Sequence, residues 1–431
     1  MTRLGKQLNH QILRVVVFGY AATRKALTGS PLLVILLAIP EVKCRRYEEK
    51  MAPGASPGDL KDPTFMRADV HRFSLKDPSD VSGLSEAIEK GNVDPAKIAA
   101  VIGKTHGNGL VNDYTRGYLT LCLSQLIGAW LGVPAESVRE RIPFVFSGGV
   151  EGVLSPHYTV FTIDSDHAAK NQEKSLAVGV AFTPELSPSD IGRQRQIDLT
   201  AQAVKAAMAS ARIESPADAH FVQVKGPAFT SDDIIAAHRT GLICRSDNPG
   251  KLMGFGRGAS ALGIGKALGE IPASAATEDA VLQDFRVYSS VASASAGVEV
   301  RTNEVIVVGL SHAWSGSLTI AHRAMQDALD LVSITKLARD MGFSPDPQIS
   351  AEQASRLRAV FVKCEAQRDG TIRGRRHTML NDGDIDQQRH IRAAVGAIVA
   401  AVYNDTSLFV SGGAEHQGPD GGGMLAVIAE K

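Results

Sequence analysis

The sequence predicts an α/β protein with a threefold internal repeat. One short segment carries this prediction: residues 147–151 (Ser-Gly-Gly-Val-Glu) return as 295–299 (Ser-Ala-Gly-Val-Glu) and as 411–415 (Ser-Gly-Gly-Ala-Glu). Each copy follows an apolar, β-prone run, and strand-like segments alternate with helix-like segments along the chain. A Ser-small-Gly turn at a strand end presents a hydroxyl and accessible backbone N–H groups to a ligand. Three copies in one chain indicate a repeat.

Composition excludes several classes of function. The 431 residues contain 46 basic and 46 acidic side chains, so no polyanion-binding surface and no nucleic-acid partner are expected. A hydrophobic content of 44% and a charged content of 21% predict a globular protein with an ample core. The four cysteines are scattered without metal-type spacing, which predicts reduced thiols and a cytoplasmic location.

Residues 1–65 differ from the rest of the chain. Glu41 is their first acidic residue, and five basic residues precede it. The apolar run at 32–39 is shorter than the roughly 20 residues that span a bilayer, so no membrane association is expected. Two interpretations stay open: an organelle transit peptide, or a disordered extension upstream of an internal start at Met66.

The first repeating unit is predicted at residues 66–167. It opens with an alternating edge strand and ends with a strand after the first Ser-Gly-Gly turn. Its predicted elements are strands at 69–73, 98–103 and 157–161 and helices at 82–90 and 114–131.

The second unit is predicted at residues 175–312, after a linker at 168–174, and the third at 318–431. Strands are predicted at 175–182, at 220–224 and at 359–362. Helices are predicted at 199–211, from the Gly-rich segment 254–260 to about 268, and at 385–402.

Each unit carries a lysine at a strand end, an arginine at a helix start and a serine at the repeated turn. The lysines are Lys104, Lys225 and Lys363, the serines are Ser147, Ser295 and Ser411, and the arginines are Arg116, Arg257 and Arg392, with Arg389 as a rival for the third.

These residue types suit nucleophilic catalysis. A serine hydroxyl needs a base, and a free lysine, with a pKa near 10.4, is too protonated to serve. Burial and neighbouring arginines lower that pKa. Turn N–H groups suit a developing oxyanion, and arginines suit carbonyl oxygens.

Other signals are weaker. Residues 103–105 (Gly-Lys-Thr) match the end of a phosphate-binding loop, but Ile98 replaces its first glycine. The pair Gly256 and Gly258 favours tight packing over dinucleotide binding. The Gly-rich tail at 417–423, with a carboxylate such as Glu365, can bind a hard cation, although the residues alone favour a simple Gly-rich turn.

Five segments resemble signatures of the ring-opening amidohydrolases, the family of cyanuric acid hydrolase and barbiturase. They are residues 101–116, 147–157, 257–263, 376–380 and 411–423, and the resemblance extends from about residue 68 to the C-terminus. It implies three β/α units around a pseudo-threefold axis, a homotetramer, and a small cyclic amide bound on the axis as substrate.

The resemblance also implies roles for individual residues. Lys225 would be the base and Ser295 the nucleophile, Lys104 and Lys363 would belong to pairs that hold the ring, and Gln388 would influence substrate choice. The implied substrate contacts are Arg116, Ser147, Gly148, Arg257, Ser295, Ala296, Arg392, Ser411 and Gly412.

No cofactor is expected for catalysis, but the resemblance implies a structural Mg²⁺ or Ca²⁺ ion. Its implied ligands are Glu365 and backbone oxygens of Ala414, Gln417, Gly418, Pro419 and Gly422, and Asp420 would alter the site if it turned inward.

The expected activity is hydrolytic opening of cyanuric acid to carboxybiuret. Two alternatives remain: a barbiturase acting on barbituric acid, and a non-catalytic binder of planar anionic rings. A structural solenoid is disfavoured, because three irregular repeats with convergent charges do not form an extendable array.

Overall fold

The computed structural model describes residues 65–167, 173–380, 383 and 385–431. The extension up to residue 64 and most of the predicted linker, residues 168–172, lie outside the described residues. In the described ranges, no helix is both long enough and apolar enough to cross a membrane.

Three four-stranded groups of β-strands form the framework. The first contains β1 (Phe65–Ser74), β2 (Ile98–Thr105), β3 (Phe144–Gly148) and β4 (His157–His167). The second contains β5 (Ser175–Phe182), β6 (Ala219–Pro227), β7 (Ala292–Gly297) and β8 (Glu304–Ser311). The third contains β10 (Leu318–Met325), β11 (Leu357–Lys363), β14 (Phe409–Ser411) and β15 (Gly423–Glu430).

Two short β-elements accompany these groups. Strand β9 (Trp314–Ser315) pairs with β1, and β12 (Thr371–Ile372) forms a hairpin with β13 (Arg375–Arg376). The α-helices are α1 (Ser82–Glu89), α2 (Thr115–Leu131), α3 (Ala135–Arg139), α4 (Gln194–Ser210), α5 (Ser231–Arg239), α6 (Pro249–Leu268), α7 (Leu331–Asp340), α8 (Ala351–Ala354) and α9 (Gln387–Tyr403).

The three sheets share one topology. Their strand orders are β3-β2-β4-β1, β7-β6-β8-β5 and β14-β11-β15-β10, so each sheet places the third strand of its group beside the second, then the fourth, then the first. In each sheet the second and third strands are parallel, and the fourth strand runs antiparallel to the second. The predicted α/β fold with three repeating units is confirmed.

The strand register brings each lysine beside its serine. Lys104 is the register partner of Ser147 across β2 and β3, Lys225 of Ser295 across β6 and β7, and Lys363 of Ser411 across β11 and β14. Register partners project from the same face of a sheet. Side chains 43, 48 and 70 residues apart in sequence therefore face one another.

One hydrophobic core joins the three sheets. It contains residues from every sheet, and the ring of Phe361 in the third contacts Phe221 in the second (centroids 4.3 Å apart) and Phe161 in the first (6.5 Å). Burial of these aromatic faces holds the three units together, because each ring removes a large apolar area from water.

Helix α6 begins earlier than predicted. The Asn248 side chain accepts the Lys251 N–H at 2.9 Å, and Pro249 occupies the first turn, so the Gly-rich segment 254–260 lies inside the helix. Arg257 therefore lies near the middle of α6 rather than at a helix start. The glycines allow close packing: a Cβ at Gly263 would lie 2.6 Å from the Ile197 carbonyl oxygen of α4.

The strand before the second serine turn also differs from expectation. The β-prone residues before this turn are Val287, Tyr288 and Val291, but the strand is β7, with the sequence Ala-Ser-Ala-Ser-Ala-Gly. Small residues have low β-propensity, and pairing with β6 overrides it.

Candidate active site

The three repeated turns meet at one cavity. Every substrate-contact residue implied by the family resemblance lines it, together with Gln388 and Gly109. The lining consists of Gly109, Arg116, Ser147, Gly148, Arg257, Ser295, Ala296, Gln388, Arg392, Ser411 and Gly412. We call the pairs Lys104–Ser147, Lys225–Ser295 and Lys363–Ser411 the first, second and third corners.

The first and third corners are built alike. The Lys104 Nζ donates hydrogen bonds to Ser147 Oγ and to the Gly148 carbonyl oxygen, both at 3.1 Å. The Lys363 Nζ donates to Ser411 Oγ at 3.1 Å and to the Gly412 carbonyl oxygen at 2.9 Å. Both lysines are fully buried.

Burial changes the protonation of these lysines. It lowers the pKa of Lys104 well below its usual range, and the Arg392 guanidinium lowers it further. Burial, with Arg257 nearby, lowers the pKa of Lys363 to about 7. Removal from water disfavours the charged ammonium of both lysines, and the neutral amine of Lys363 becomes accessible near neutral pH.

The second corner is different. The Lys225 Nζ lies 2.8 Å from Glu299 Oε1 and donates a hydrogen bond to the Phe146 carbonyl oxygen at 2.7 Å. The hydrogen bonds of the described residues include none between Lys225 and Ser295, although the two are register partners. Ser295 Oγ instead accepts a hydrogen bond from the Gln223 amide at 3.3 Å.

Opposing influences set the pKa of Lys225. Burial lowers it, Glu299 opposes that decrease, and Arg116 adds to it, so the net pKa is lowered. Burial raises the pKa of Glu299, but Lys225 and Arg116 outweigh burial, so Glu299 is held as a carboxylate. Glu304, the register partner of Lys225 on β8, is also buried, and burial raises its pKa to about 8.

A glutamate lies beside each arginine of the cavity. Arg392 donates two hydrogen bonds to Glu151, both at 2.7 Å. Arg257 donates to both carboxylate oxygens of Glu415 at 2.9 and 2.5 Å, an arrangement that lowers the Glu415 pKa to about 2 against the effect of burial. Arg116 lies 3.7 Å from Glu299.

These glutamates received no role from the sequence, although a signal was present. Each is the fifth residue of the repeated turn, at positions 151, 299 and 415. The arginines beside them belong to other repeating units, so the local sequence could not predict these contacts.

Arg392, rather than Arg389, lines the cavity. The Arg392 side chain is 3% exposed, whereas that of Arg389 is 52% exposed and lies 3.6 Å from Glu151 at the periphery. Arg116 differs from the other two arginines because it donates to the Ala296 carbonyl oxygen at 2.9 Å. Arg116 is at the start of α2, as predicted, and Arg392 is in the second turn of α9.

Gln388 lies in the first turn of α9, against the third serine turn. A Cβ at Gly412 would lie 2.9 Å from the Gln388 Cβ, so glycine is needed for this approach. The Gln388 side chain therefore lies where it can meet one edge of a ligand in the cavity.

The backbone oxygens implied for a metal ion lie on the loop between β14 and β15, and the implied carboxylate, Glu365, follows β11. Glu365 Oε2 accepts the Ala414 N–H at 2.6 Å, and burial together with the Glu415 carboxylate raises the pKa of Glu365 to about 7. No group of three or more His, Cys, Asp or Glu side chains is poised for a metal among the described residues. Backbone carbonyl oxygens with one buried carboxylate still fit a hard cation. Asp420 pairs with Arg368.

The cavity suits attack on an amide carbonyl, since it combines buried amines, serine hydroxyls and fixed cationic donors. Fold and cavity together define the class as a hydrolase with three repeated α/β units. A family model described as "Amidohydrolase ring-opening protein" matches residues 69–430. The chain belongs to this ring-opening amidohydrolase family, whose members hydrolyse cyclic amides.

Curated relatives agree with this assignment. A cyanuric acid amidohydrolase from Pseudomonas sp. (strain ADP) is 48% identical over 365 residues, which are 84% of this chain and 98% of the relative. One from Enterobacter cloacae is 45% identical over 367 residues, or 84% and 99% of the two chains. A cyclic amide hydrolase from Azorhizobium caulinodans is 43% identical over 363 residues, again 84% and 99%.

Solved structures show the same architecture. A structure of cyanuric acid hydrolase, described in terms of structural concatenation, has a TM-score of 0.82 and 47% identity, covering 85% of this chain and 100% of its own. The cyanuric acid hydrolase structure from A. caulinodans has a TM-score of 0.77 and 42% identity, covering 85% and 99%.

Proposed function

We propose that the protein opens the ring of cyanuric acid by hydrolysis and yields carboxybiuret, with Ser295 as nucleophile and Lys225 as base. The observation that carries this proposal is the threefold cavity, with an arginine and a Ser-small-Gly turn from every unit. Cyanuric acid has three carbonyl groups related by threefold symmetry. Curated relatives of 45% and 48% identity bear the name cyanuric acid amidohydrolase.

The lining of the cavity supports binding of a single small ring. All three arginines and all three Ser-small-Gly turns line the same cavity. Each arginine can donate to one carbonyl oxygen, and charge-assisted hydrogen bonds of this kind are strong. The ring is therefore held at three points before reaction.

The first half of the reaction forms an acyl-enzyme. The Ser295 Oγ proton passes to the neutral Lys225 amine, and Oγ forms a bond to the nearest ring carbonyl carbon. The carbonyl oxygen gains the negative charge, and the N–H groups of the serine turns and the arginines of the cavity stabilise it. The C–N bond then breaks, and the ring nitrogen takes the proton from Lys225.

The second half releases the product. Water gives a proton to Lys225 and attacks the Ser295 ester, whose Oγ recovers that proton on leaving. The product is the open chain with a terminal carboxyl group, carboxybiuret. Lys104 and Lys363 keep their hydrogen bonds to Ser147 and Ser411, so these corners hold and polarise the other two carbonyl groups.

Three further features belong to the proposal. Gln388 contributes to the choice of ring from its position at the cavity wall. A structural Mg²⁺ or Ca²⁺ ion would be held by Glu365 and the backbone oxygens of the loop at 414–422 and would supply no catalytic step. The active form is proposed to be a homotetramer.

The test is ring opening by the purified protein, followed by loss of ring ultraviolet absorbance and by mass spectrometry of the product. Cyanuric acid and barbituric acid are supplied in parallel. Turnover of cyanuric acid with carboxybiuret as the first product supports the proposal. Turnover of barbituric acid alone would overturn the substrate assignment, and tight binding without turnover would favour the non-catalytic binder.

A further inference from the structure

Behind Ser295 lies a buried polar pair that the other two corners lack. Gln223 on β6 and Ser293 on β7 are register partners, two residues before Lys225 and Ser295. The equivalent register pairs are Ile102 with Val145 in the first unit and Phe361 with Phe409 in the third.

The pair forms a short chain of hydrogen bonds that ends at the second serine. The Ser293 hydroxyl donates to Gln223 Oε1 at 2.7 Å. The Gln223 Nε2 donates to Ser295 Oγ at 3.3 Å and to the Val224 carbonyl oxygen at 3.0 Å. The Val224 carbonyl oxygen can only accept a hydrogen bond, so the end of the Gln223 amide that faces it and Ser295 is the nitrogen.

The fold does not require this polar pair. Burying an amide and a hydroxyl costs free energy, which their mutual hydrogen bonds only offset. Gln223 and Ser293 are essentially inaccessible to solvent, and so are the four apolar side chains at the equivalent places. The same sheet position thus packs well with apolar residues in the two sister units.

We propose that Gln223 is the hydrogen-bond donor that stabilises the Ser295 oxygen when it becomes negatively charged, and that Ser293 orients the Gln223 amide. This inference rests on the proposed function, because it assumes that Ser295 is the nucleophile. It also supplies a structural reason why the second of three repeated serines reacts.

The Ser295 oxygen acquires negative charge twice in the reaction. It does so when its proton moves to Lys225 and again when it leaves the acyl group as water attacks. An amide N–H aimed at this oxygen favours both charged states. Its 3.3 Å distance is long for the neutral hydroxyl, and such bonds tighten as charge develops.

The other two serines lack this support. Ser147 Oγ and Ser411 Oγ receive hydrogen bonds from Lys104 and Lys363, and Ser147 donates to Ser411 at 3.2 Å. Their hydroxyls are thus tied to each other and to their lysines. The Ser295 hydroxyl receives an amide donor instead.

The test compares Gln223→Met with a matched control, Ile102→Met, in the full-length protein with cyanuric acid. Both variants place methionine at the same register position, so both perturb packing to a similar extent. Loss of one donor to a developing oxyanion lowers kcat by about 100-fold or more. Because the Gln223 hydrogen bond to Ser295 is long, we expect Gln223→Met to lower kcat by about 10- to 100-fold. We expect KM to change little and Ile102→Met to retain kcat within about threefold.

A second variant, Ser293→Ala, tests the inference even if Gln223→Met fails to fold. It keeps the Gln223 amide but removes the hydroxyl that orients it, so kcat should fall by a smaller factor of about 3 to 10. A kcat near the wild-type value in Gln223→Met would overturn the inference, as would equal losses of kcat in Gln223→Met and Ile102→Met. Those results leave wild-type turnover intact and are therefore distinct from failure of the proposed function, in which the wild-type protein opens no ring.

Discussion

Glu151 accepts two hydrogen bonds from Arg392, which lies 241 residues further along the chain in another repeating unit. The same relation recurs around the cavity: Glu415 of the third unit holds Arg257 of the second, and Glu299 of the second lies beside Arg116 of the first. Glu151 and Glu415 thus orient arginines of other units by hydrogen bonds, and Glu299 places a carboxylate near Arg116. The cavity is complete only when all three units are assembled.

Glu151→Gln should weaken both binding and stability. The Arg392 guanidinium would lose its charge partner in a buried setting, which costs about 3 kcal/mol of unfolding free energy. We expect KM to rise about tenfold, since one carbonyl contact loosens by about 1.4 kcal/mol. Urea unfolding and steady-state kinetics measure the two effects.

The control for this variant is Glu136→Gln, which removes an exposed pair with Arg139. A surface pair contributes about 1 kcal/mol or less, so neither quantity should change appreciably. Equal effects of the two substitutions would contradict the role given to Glu151.

Lys225→Met should lower kcat by about 1,000-fold, because loss of a general base removes a factor of this order. It also leaves the Glu299 carboxylate without its nearest cation, so unfolding free energy should fall by about 3 kcal/mol. The double variant Lys225→Met/Glu299→Gln should recover stability but not turnover. Recovery of kcat in the double variant would show that Lys225 is not the base.

Glu299→Gln should move the acidic limb of the kcat/KM profile to lower pH. Lys225 must be neutral to accept a proton, so activity rises with pH through its pKa. The charged or titratable groups that face its amine are Glu299, Arg116 and Glu304, and Glu299 is the chief group that raises the Lys225 pKa. Removing that carboxylate lowers the Lys225 pKa, and kcat/KM measured across a broad pH range reports the shift. An unchanged limb would exclude Lys225 as the titrating base.

Gly263→Ala should destabilise the protein although alanine is the better helix former. The gain in helix propensity is about 1 kcal/mol, but the new Cβ would lie 2.6 Å from a backbone oxygen of α4, and such overpacking costs about 1 to 3 kcal/mol. Gly117→Ala in α2 is the matched control, because its Cβ meets nothing closer than 3.4 Å. Thermal unfolding should show a lower Tm for the first variant only.

Sequence alone predicted the three lysine–serine pairs because both partners lie in local patterns. Each lysine ends a strand, each serine begins a repeated turn, and parallel pairing of neighbouring strands then places them in register, as for Lys104 and Ser147. The repeat also revealed the three arginines. Internal symmetry thus supplied long-range information that a single motif lacks.

The features of the site that the sequence could not predict depend on contacts between the repeating units. The pairing of Glu151 with Arg392 joins two units, and so does the hydrogen bond from Lys225 to the Phe146 carbonyl oxygen. Arg257 was expected at a helix start because glycines usually interrupt helices, but packing against α4 and Asn248 capping extend α6 past them. Local propensity yields to tertiary contacts at these positions.

The most direct test of the account is turnover of cyanuric acid by three variants measured side by side: Ser147→Ala, Ser295→Ala and Ser411→Ala. The account predicts that Ser295→Ala loses about 1,000-fold or more of kcat, because the nucleophile is gone. The other two should retain most of kcat, with a raised KM, because they lose one contact to the ring. Retention of kcat by Ser295→Ala, with its loss in Ser147→Ala or Ser411→Ala, would contradict the account and move the chemistry to another corner.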